Sequence, residues 1–440
     1  MKRFLSLLLI CACVYTYVQA QTRYVGGDIS LLPQYEKYSY GYKNVSGTKV
    51  SNLLTWFVTD CGWNTFRVRL FVNPQQKAAD GSTDYAVCQD LAYVTALGKR
   101  IKDAGAYFML DFHYSDTWVD ATHIQAPAAW KNADATTMAD SLGNYTHMVL
   151  QTLKAAGATP DLVQVGNEIM YGLCGIKVSP YNNSATNANW PNYINLLKAG
   201  CNAVREECPQ AKIIIHTDRP NEVDNTKYYY NKLINGGVDF DIIGLSYYPF
   251  WHGYLNTTST NLISSINSYA AAYPGKEVQI VEFAYNFQNW PSSGVKTDTR
   301  SIWPCSVDGQ YNFVKDLVDA LKPLTNVSGI SYWFPEESGN GDKANWTSMT
   351  NIVIKDWLNR GFWDENKSSS AHAINKTGSV SSTVTADQVC APYYMRHFYN
   401  STEDIETTQD VSPKATKILR DGRILIERGG QIYGIDGCRQ

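Results

Sequence analysis

The sequence predicts an α/β protein of the (β/α)8 TIM-barrel class with a short C-terminal extension. Three observations lead there: strand-like segments recur eight times, helical stretches separate them, and no glycine-rich phosphate turn follows the first strand. The strands read as YVGGDIS (24–30), TFRVRLF (65–71), AYFMLDFHY (106–114), LVQVGNE (162–168), KIIIHT (212–217), DIIGLSYYP (241–249), VQIVEFAY (278–285) and GISYWFP (329–335). In the fourth, Leu162, Val163 and Val165 form the apolar run of a buried strand. The stretch LAYVTALGKRIKDAG (91–105) shows the helical counterpart. Leu91, Val94, Leu97, Ile101 and Ala104 recur at helical spacing, and Gly105 ends the helix. An open doubly wound sheet is the alternative, but GGDISLLPQ after the first strand holds neither G-x-G-x-x-G nor G-x-x-x-x-G-K-[ST].

The ends differ from the body. Residues 1–20, MKRFLSLLLICACVYTYVQA, place Lys2 and Arg3 before an apolar run and small or apolar residues Val18 and Ala20 at the close. That is the pattern of a secretory signal peptide, since the run is shorter than the roughly 20 residues of a membrane span. A lipoprotein acylated at Cys13 is the alternative, though Ile10, Cys11 and Ala12 fit it poorly. An exported protein without a transmembrane segment is expected. The catalytic barrel is expected over 21–365, and the Ser, Thr, Asn and Lys-rich stretch 366–410 reads as a polar linker or loop extension. Residues 411–440 form a short tail with strand-like pieces around Ile418 and Ile424, read either as an export or sorting signal or as a terminal hairpin.

Formal net charge is −3 with no long charged block, so neither nucleic acid nor an anionic membrane is expected as a partner. The excess is aromatic: 12 Trp and 30 Tyr, more than a core alone requires, and suited in part to a cleft that stacks on sugar rings. Eight cysteines follow the first twenty residues, without C-x-x-C or zinc spacing, and their pairing stays open. A monomer is expected.

Chemistry is sought at the carboxyl ends of the strands, where barrels of this class place it. Those ends carry Asp28, Arg67, Arg69, Asp111, His113, Asn167, Glu168, His216, Tyr247, Glu282 and Trp333. Glutamates on the fourth and seventh strands lie on opposite sides of the mouth. Retaining glycoside hydrolysis needs such a pair, one protonating the leaving oxygen and the other, about 5 Å away, attacking the anomeric carbon. Glu168 is read as acid/base and Glu282 as nucleophile, the latter kept ionised by Arg67 and the Tyr247 hydroxyl. Asn167 is assigned the sugar 2-hydroxyl. Taken singly, each of these residues also suits a layer-closing polar contact. His113 and His216 read as structural or sugar-contacting, because no H-x-H opens the first strand as metal-dependent barrel hydrolases commonly require. Ser246 in GLSYY lacks the second glycine of a nucleophile elbow. HYSDTW brings Asp116 and Trp118, and SYYPFWHG brings Trp251 and His252; Trp118, Trp251 and Trp333 are the expected stacking platforms.

At these residues the chain resembles glycoside hydrolase family 53, the arabinogalactan endo-β-1,4-galactanases, over roughly 24–360. GGDISLLPQ, NTFRVRLFVNP, LDFHYSDTWVD, DLVQVGNEI, DFDIIGLSYYPFWHG and VEFAY carry the resemblance. It implies a (β/α)8 barrel, a retaining mechanism and internal cleavage of the β-1,4-galactan polysaccharide of type I arabinogalactan and pectin, with Glu168 as acid/base and Glu282 as nucleophile. Three departures stand out: YGLCGIKVSP where GxLWP is usual, Phe283 where a threonine follows the nucleophile, and YWFPEES in place of YWEPAW. Some members bind structural calcium after strand seven. NFQNWPSSGVKTDTR has too few clustered acids to support such a site here, so no cofactor is expected. Another retaining β-glycanase of the same superfamily, such as a mannanase, or a non-catalytic glycan-binding barrel are the competing readings.

Overall fold

Eight parallel strands pair in sequence order and close: β1 (Tyr24–Asp28), β2 (Thr65–Leu70), β3 (Tyr107–Phe112), β4 (Leu162–Val165), β5 (Lys212–Thr217), β6 (Ile242–Tyr247), β7 (Glu277–Phe283) and β8 (Val327–Trp333), with β8 returning to β1. The computed structural model describes residues 21–337 apart from 38–41, 45–46, 76–83, 85, 182–184, 258–260, 289 and 292–293, then 360–364, 370–371, 390–399 and the strands within 416–433. The signal peptide expected over 1–20 lies outside the described residues, as does most of the expected linker.

Side chains alternate across each strand, so every second residue enters the barrel. Tyr24, Met109, Leu162, Ile214, Ile242 and Val281 fill its interior. Two residues nearer the carboxyl ends, the same inward register becomes polar at Asp111, Gln164 and His216 on β3 to β5, with Gly244 beside His216 on β6. The opposite register, including Phe66, Val68, Leu70, Phe108, Leu110 and Phe112, is buried against the helices. Each strand is thus hidden on both faces, which is why the segments read as near-continuous apolar runs.

The outer layer comprises α1 (Leu53–Thr59), α2 (Leu91–Asp103), α3 (Ala135–Ala155), α4 (Trp190–Glu207), α5 (Val223–Asn235), α6 (Leu262–Ala272) and α7 (Val307–Leu321). Helix α2 starts on Asp90, whose side chain accepts the Tyr93 N–H, and buries Val94, Leu97 and Ile101, as the spacing predicts. Gly105 follows it at φ +76°.

After β8 a short helix, α8 (Ala391–Tyr394), and a 3-10 turn (Met395–Phe398) take up the outer layer. Arg23 donates to the carbonyls of Lys322 and Phe398 at 2.8 Å, Trp63 Nε1 donates to the Pro392 carbonyl at 2.8 Å, and Tyr394 donates to Asp319 at 2.6 Å. Residues 390–398 therefore belong to the barrel unit, although their sequence lies inside the stretch read as linker. Residues 399–440 form a separate unit, in which Thr416–Arg420, Arg423–Arg428 and Gln431–Tyr433 make a three-stranded antiparallel sheet. Among the described residues seven cysteines are unpaired, and no helix is long and apolar enough to cross a membrane.

Closure of β1 onto β2 tolerates no side chain at Gly26. A Cβ there would lie 1.6 Å from the Thr65 carbonyl oxygen, and backbone cannot yield as a side-chain tip can. Gly26→Ala should therefore destabilise the fold by more than the ~1–3 kcal/mol of ordinary overpacking. Thermal unfolding followed by circular dichroism checks this, with Gly105→Ala, where a Cβ meets no atom, showing only the milder effect of its positive φ.

Candidate active site

The site is built around one cation. Arg67 is buried on β2, and its guanidinium donates to Asp28 Oδ2 at 2.7 Å, Asp111 Oδ2 at 2.8 Å and Asn167 Oδ1 at 2.7 Å, with Glu282 Oε1 at 2.9 Å. These partners come from β1, β3, the end of β4, and β7. Only a planar fork can meet so many acceptors at once. Burial would lower the Arg67 pKa, but Asp111, Glu282 and Asp28 together raise it, so it stays charged. Burial likewise disfavours an ionised Asp111, yet Arg67 and then His113 hold its pKa below the usual carboxylate value.

Backbone irregularities turn both glutamates into the mouth. On β7, Leu245 pairs with Ile280 but Ser246 pairs with Glu282, and on the other side Ile330 pairs with Ile280 but Tyr332 with Phe283. Val281 is an extra residue in the ladder. The bulge lets Val281 point into the core and the next residue, Glu282, point inward too, which strict alternation forbids. On β4 the redirection follows the strand: Gly166 has φ +93° and Glu168 itself has φ 48°, a left-handed conformation costly for a side-chain-bearing residue. A Cβ on Gly166 would approach Ile169 Cγ2 at 2.6 Å.

Ser246 links the pair. It stands opposite Glu282 in the β6–β7 register, and its hydroxyl donates to Glu168 Oε1 at 2.6 Å. His216 Nε2 lies 2.9 Å from the same hydroxyl, while its Nδ1 faces the Glu168 N–H at 3.3 Å and Gln164 Nε2 at 3.2 Å. With the serine proton given to Glu168, His216 carries its proton on Nε2 and accepts at Nδ1. Burial, followed by the charge of Arg67, lowers the His216 pKa well below its ordinary value and keeps it neutral.

The two carboxyls are distinguished by their neighbours. Burial raises the Glu168 pKa well above the usual carboxylate value, and the charges of Glu282 and Asp218 raise it further against the single Ser246 hydroxyl. Burial raises Glu282 also, but Arg67 and the Tyr248 hydroxyl, at 2.9 Å, limit the rise to about 7. Glu168 is the group that keeps a proton and Glu282 the group that loses one. Arg67 does not hold Glu282 fully in the charged form, because Asp28 and Asp111 share the same cation.

The expected hydroxyl on the nucleophile is misassigned to Tyr247. Ser246 faces inward, so alternation sends Tyr247 outward against Phe313 of α7, with its hydroxyl on the Gly253 carbonyl, and brings Tyr248 inward. The remaining residues divide by role. Asn167 is held by Arg67 and donates to the Val119 carbonyl at 2.7 Å. His113 accepts the Val119 N–H at Nδ1, which leaves Nε2–H toward Asp111 at 3.2 Å. Asp116 accepts the N–H groups of Asn73 and Ala128, and so tethers loops rather than joining the carboxylates. His252 accepts the Tyr248 N–H, with burial taking its pKa to about 3. Trp118 is pinned by Asp84 and stacked under Arg69 at 4.3 Å. Trp251 packs on Tyr248 and Phe250. Trp333, half-buried, lies 5.6 Å from the guanidinium of buried Arg360, which also sits against the rings of Tyr248 and Phe250.

Sequence reading missed Gln164, Ser246, Tyr248, Asp218 and Arg360. Period two from inward Leu162 on β4 and Ile242 on β6 would have found the first three; Arg360 follows the last barrel strand at a distance no motif marks. Two of the three departures are also explained. Phe283 packs outward on Phe313 and Tyr332, and the acids displaced beyond Phe334 bind backbone, Glu336 accepting the Leu31 N–H and Glu337 the Gly361 N–H. Among the described residues no group of His, Cys, Asp and Glu is arranged to hold a metal.

A parallel eight-stranded barrel with two buried carboxyls across its mouth, one relieved by an arginine and the other raised by burial and its partner's charge, defines a glycoside hydrolase. The chain belongs to glycosyl hydrolase family 53, whose family model matches residues 24–375. It is 35% identical over 364 residues to the probable arabinogalactan endo-β-1,4-galactanase A of Aspergillus terreus, covering 80% of this chain and 94% of that protein. To the arabinogalactan endo-β-1,4-galactanase A of Emericella nidulans it is 34% identical over 353 residues, covering 78% and 93%. Among solved structures it superposes on the GH53 catalytic domain of Ignisphaera aggregans with a TM-score of 0.68 at 25% identity, covering 88% and 98% of the two chains. A structure from a study of two fungal β-1,4-galactanases gives 0.64 at 28% identity, covering 80% and 97%.

With Glu282 as nucleophile and Glu168 as acid, hydrolysis would need the first ionised and the second protonated, so two variants should move opposite limbs of the pH profile. Tyr248→Phe removes a donor to ionised Glu282, favours its neutral form and should shift the acid limb of kcat/KM upward by about one pH unit. Ser246→Ala removes a donor from Glu168, favours its protonated form and should shift the alkaline limb upward instead. Profiles measured on a soluble aryl glycoside check both.

Proposed function

We propose that the chain is an exported, endo-acting β-1,4-galactanase that cleaves the galactan of type I arabinogalactan and pectin with retention of anomeric configuration. The observation that carries the chemistry is the Glu168–Ser246–Glu282 arrangement, with Arg67 and Tyr248 on the nucleophile only. The galactan preference is supported by the galactanase names of the relatives and by HYSDTW and SYYPFWHG. Export is supported by the character of residues 1–20, and action as a monomer without a cofactor by a mechanism that needs only carboxyls and water.

In the first step Glu282 attacks the anomeric carbon as the C1–O bond to the leaving sugar breaks, and Glu168 gives its proton to the departing oxygen. Loss of that proton is opposed by Glu282 while it is charged and ceases to be opposed once the ester forms. Glu168, now ionised, takes a proton from water as the water oxygen attacks C1 and the bond to Glu282 breaks. Asn167, whose oxygen is occupied by Arg67, has a second amide hydrogen for the sugar 2-hydroxyl. The rings of Trp118, Trp251 and Trp333 are offered to sugar faces.

Glu168→Ala should lower kcat on β-1,4-galactan by about 10²–10⁴-fold, yet retain far more activity on a 2,4-dinitrophenyl galactobioside, whose leaving group needs no proton. Glu282→Ala should lose both. Reducing ends and product sizes from galactan, mannan and cellulose in parallel test the substrate: short galacto-oligosaccharides from galactan alone are expected. Cleavage of mannan instead would replace the galactan reading, and no cleavage of any would favour a glycan-binding barrel.

A further inference from the structure

We infer that the loops after β4 and β5 form a binding site for the leaving-group side of the galactan chain, with Tyr171 and Tyr181 as a ring platform and Asp218 as a hydroxyl acceptor. The inference rests on the galactanase reading and deepens it. If Glu168 protonates the glycosidic oxygen, the departing sugar lies on the Glu168 side of the scissile bond, away from Glu282. The loops that flank Glu168 there are its own, after β4, and that of the neighbouring strand β5.

Tyr171 ends the single 3-10 turn that begins directly after Glu168, and a hairpin, Gly172–Leu173 with Ile176–Lys177, carries the chain on toward Tyr181. The two rings lie 6.4 Å apart, with their hydroxyls 3.3 Å from one another. Tyr181 is 45% exposed, the one aromatic ring among the large apolar residues left open to solvent within the described residues. It is held in place, since its hydroxyl donates to Glu222 Oε2 at 3.1 Å. The Arg219 guanidinium lies 5.7 Å over Tyr171 and 2.9 Å from Asp218 Oδ2. A fixed, exposed aromatic pair rimmed by charge suits a galactose unit, which offers an apolar C–H face and a polar edge.

Asp218 supplies the second observation. Its side chain is nine-tenths buried, Oδ2 pairs with Arg219, and among the described residues Oδ1 has no hydrogen-bond donor. Asn221 Oδ1, on the same loop, is likewise buried without a donor. Two undonated acceptors in one loop represent a loss that folding does not recover. Sugar hydroxyls would supply those donors. Asp218 also stands close enough to Glu168 to oppose its ionisation, and burial brings its own pKa to about 6. The stretch from Tyr171 to Pro180 is where this chain leaves the GxLWP pattern, so the platform belongs to its own sequence.

The test compares two substrates that share everything but the leaving group: galactotetraose, which places sugars on this side, and β-galactobiosyl fluoride, which places none. The ratio of their kcat/KM values is measured for the wild type, Tyr181→Ala and Asp218→Asn. Each variant should lower the ratio at least tenfold, mainly through galactotetraose, while fluoride turnover reports that the catalytic centre is folded; Asp218→Asn is compared at its own pH optimum, because the Asp218 charge also raises the Glu168 pKa. A ratio within twofold of wild type in both variants would overturn the site, as would parallel loss on both substrates. A wild type that turns over the fluoride but not galactotetraose would overturn the galactanase reading and the site with it.

Discussion

The buried charge of Arg67 organises this protein. A guanidinium removed from water is tolerated only where acceptors surround it, and here they arrive from β1, β3, β4 and β7. Those strands are far apart in sequence and adjacent only in the closed barrel. Closing the barrel and assembling the site are therefore one event: without closure the cation lacks its partners, and without the cation three carboxylates would face one another. Sharing also has a chemical result. Because Asp28 and Asp111 draw on the same charge, Glu282 is eased toward ionisation without being locked in it, and retains the basicity a nucleophile needs.

Against that background the acid is defined by what it lacks. Glu168 receives one serine hydroxyl and no cation, and it faces the charge of its partner. Ser246 and neutral His216 orient it, and Gln164 ties the histidine back to Asp111. A continuous hydrogen-bonded path thus runs from Arg67 to the acid without delivering positive charge to it. Both glutamates sit on locally unfavourable backbone, one beside a bulge and one in a left-handed conformation. Such conformations persist where surrounding contacts over-determine them, and they mark the positions at which regular barrel geometry gives way to chemistry.

The aromatic excess has two uses. Many tyrosines, including Tyr193, Tyr229, Tyr230, Tyr269 and Tyr285, are buried between barrel and helices, where their hydroxyls reach backbone carbonyls or one another. They are large apolar bodies whose polar tips find partners, as buried tyrosine requires. A smaller set, Trp118, Trp251 and Trp333, stays half-buried at the mouth. The same residue types thus serve the core and line the mouth, and burial separates the two sets.

By itself the sequence determined the architecture and the two strand ends that carry glutamates. Eight doubly buried strands leave short, β-branched and aromatic apolar runs separated by helical stretches, and VGNE and VE end two of them on glutamates that a core could not hide. The single helix examined by spacing, 91–105, likewise matches α2 to within two residues. The finer assignments depended on direction, which a linear pattern carries only while the strand stays regular. Tyr247 was chosen over Tyr248 although alternation from inward Ile242 on β6 points to the latter. Glu282 reaches the mouth because a bulge breaks the alternation that would have sent it outward. Residues 390–398 read as linker because their polar flanks dominate the composition, yet Arg23 and Trp63, more than three hundred residues earlier, bind their carbonyls. Arg360, Asp218 and the docking of that segment were decided by contacts between distant parts of the chain, which exist only once the barrel has closed.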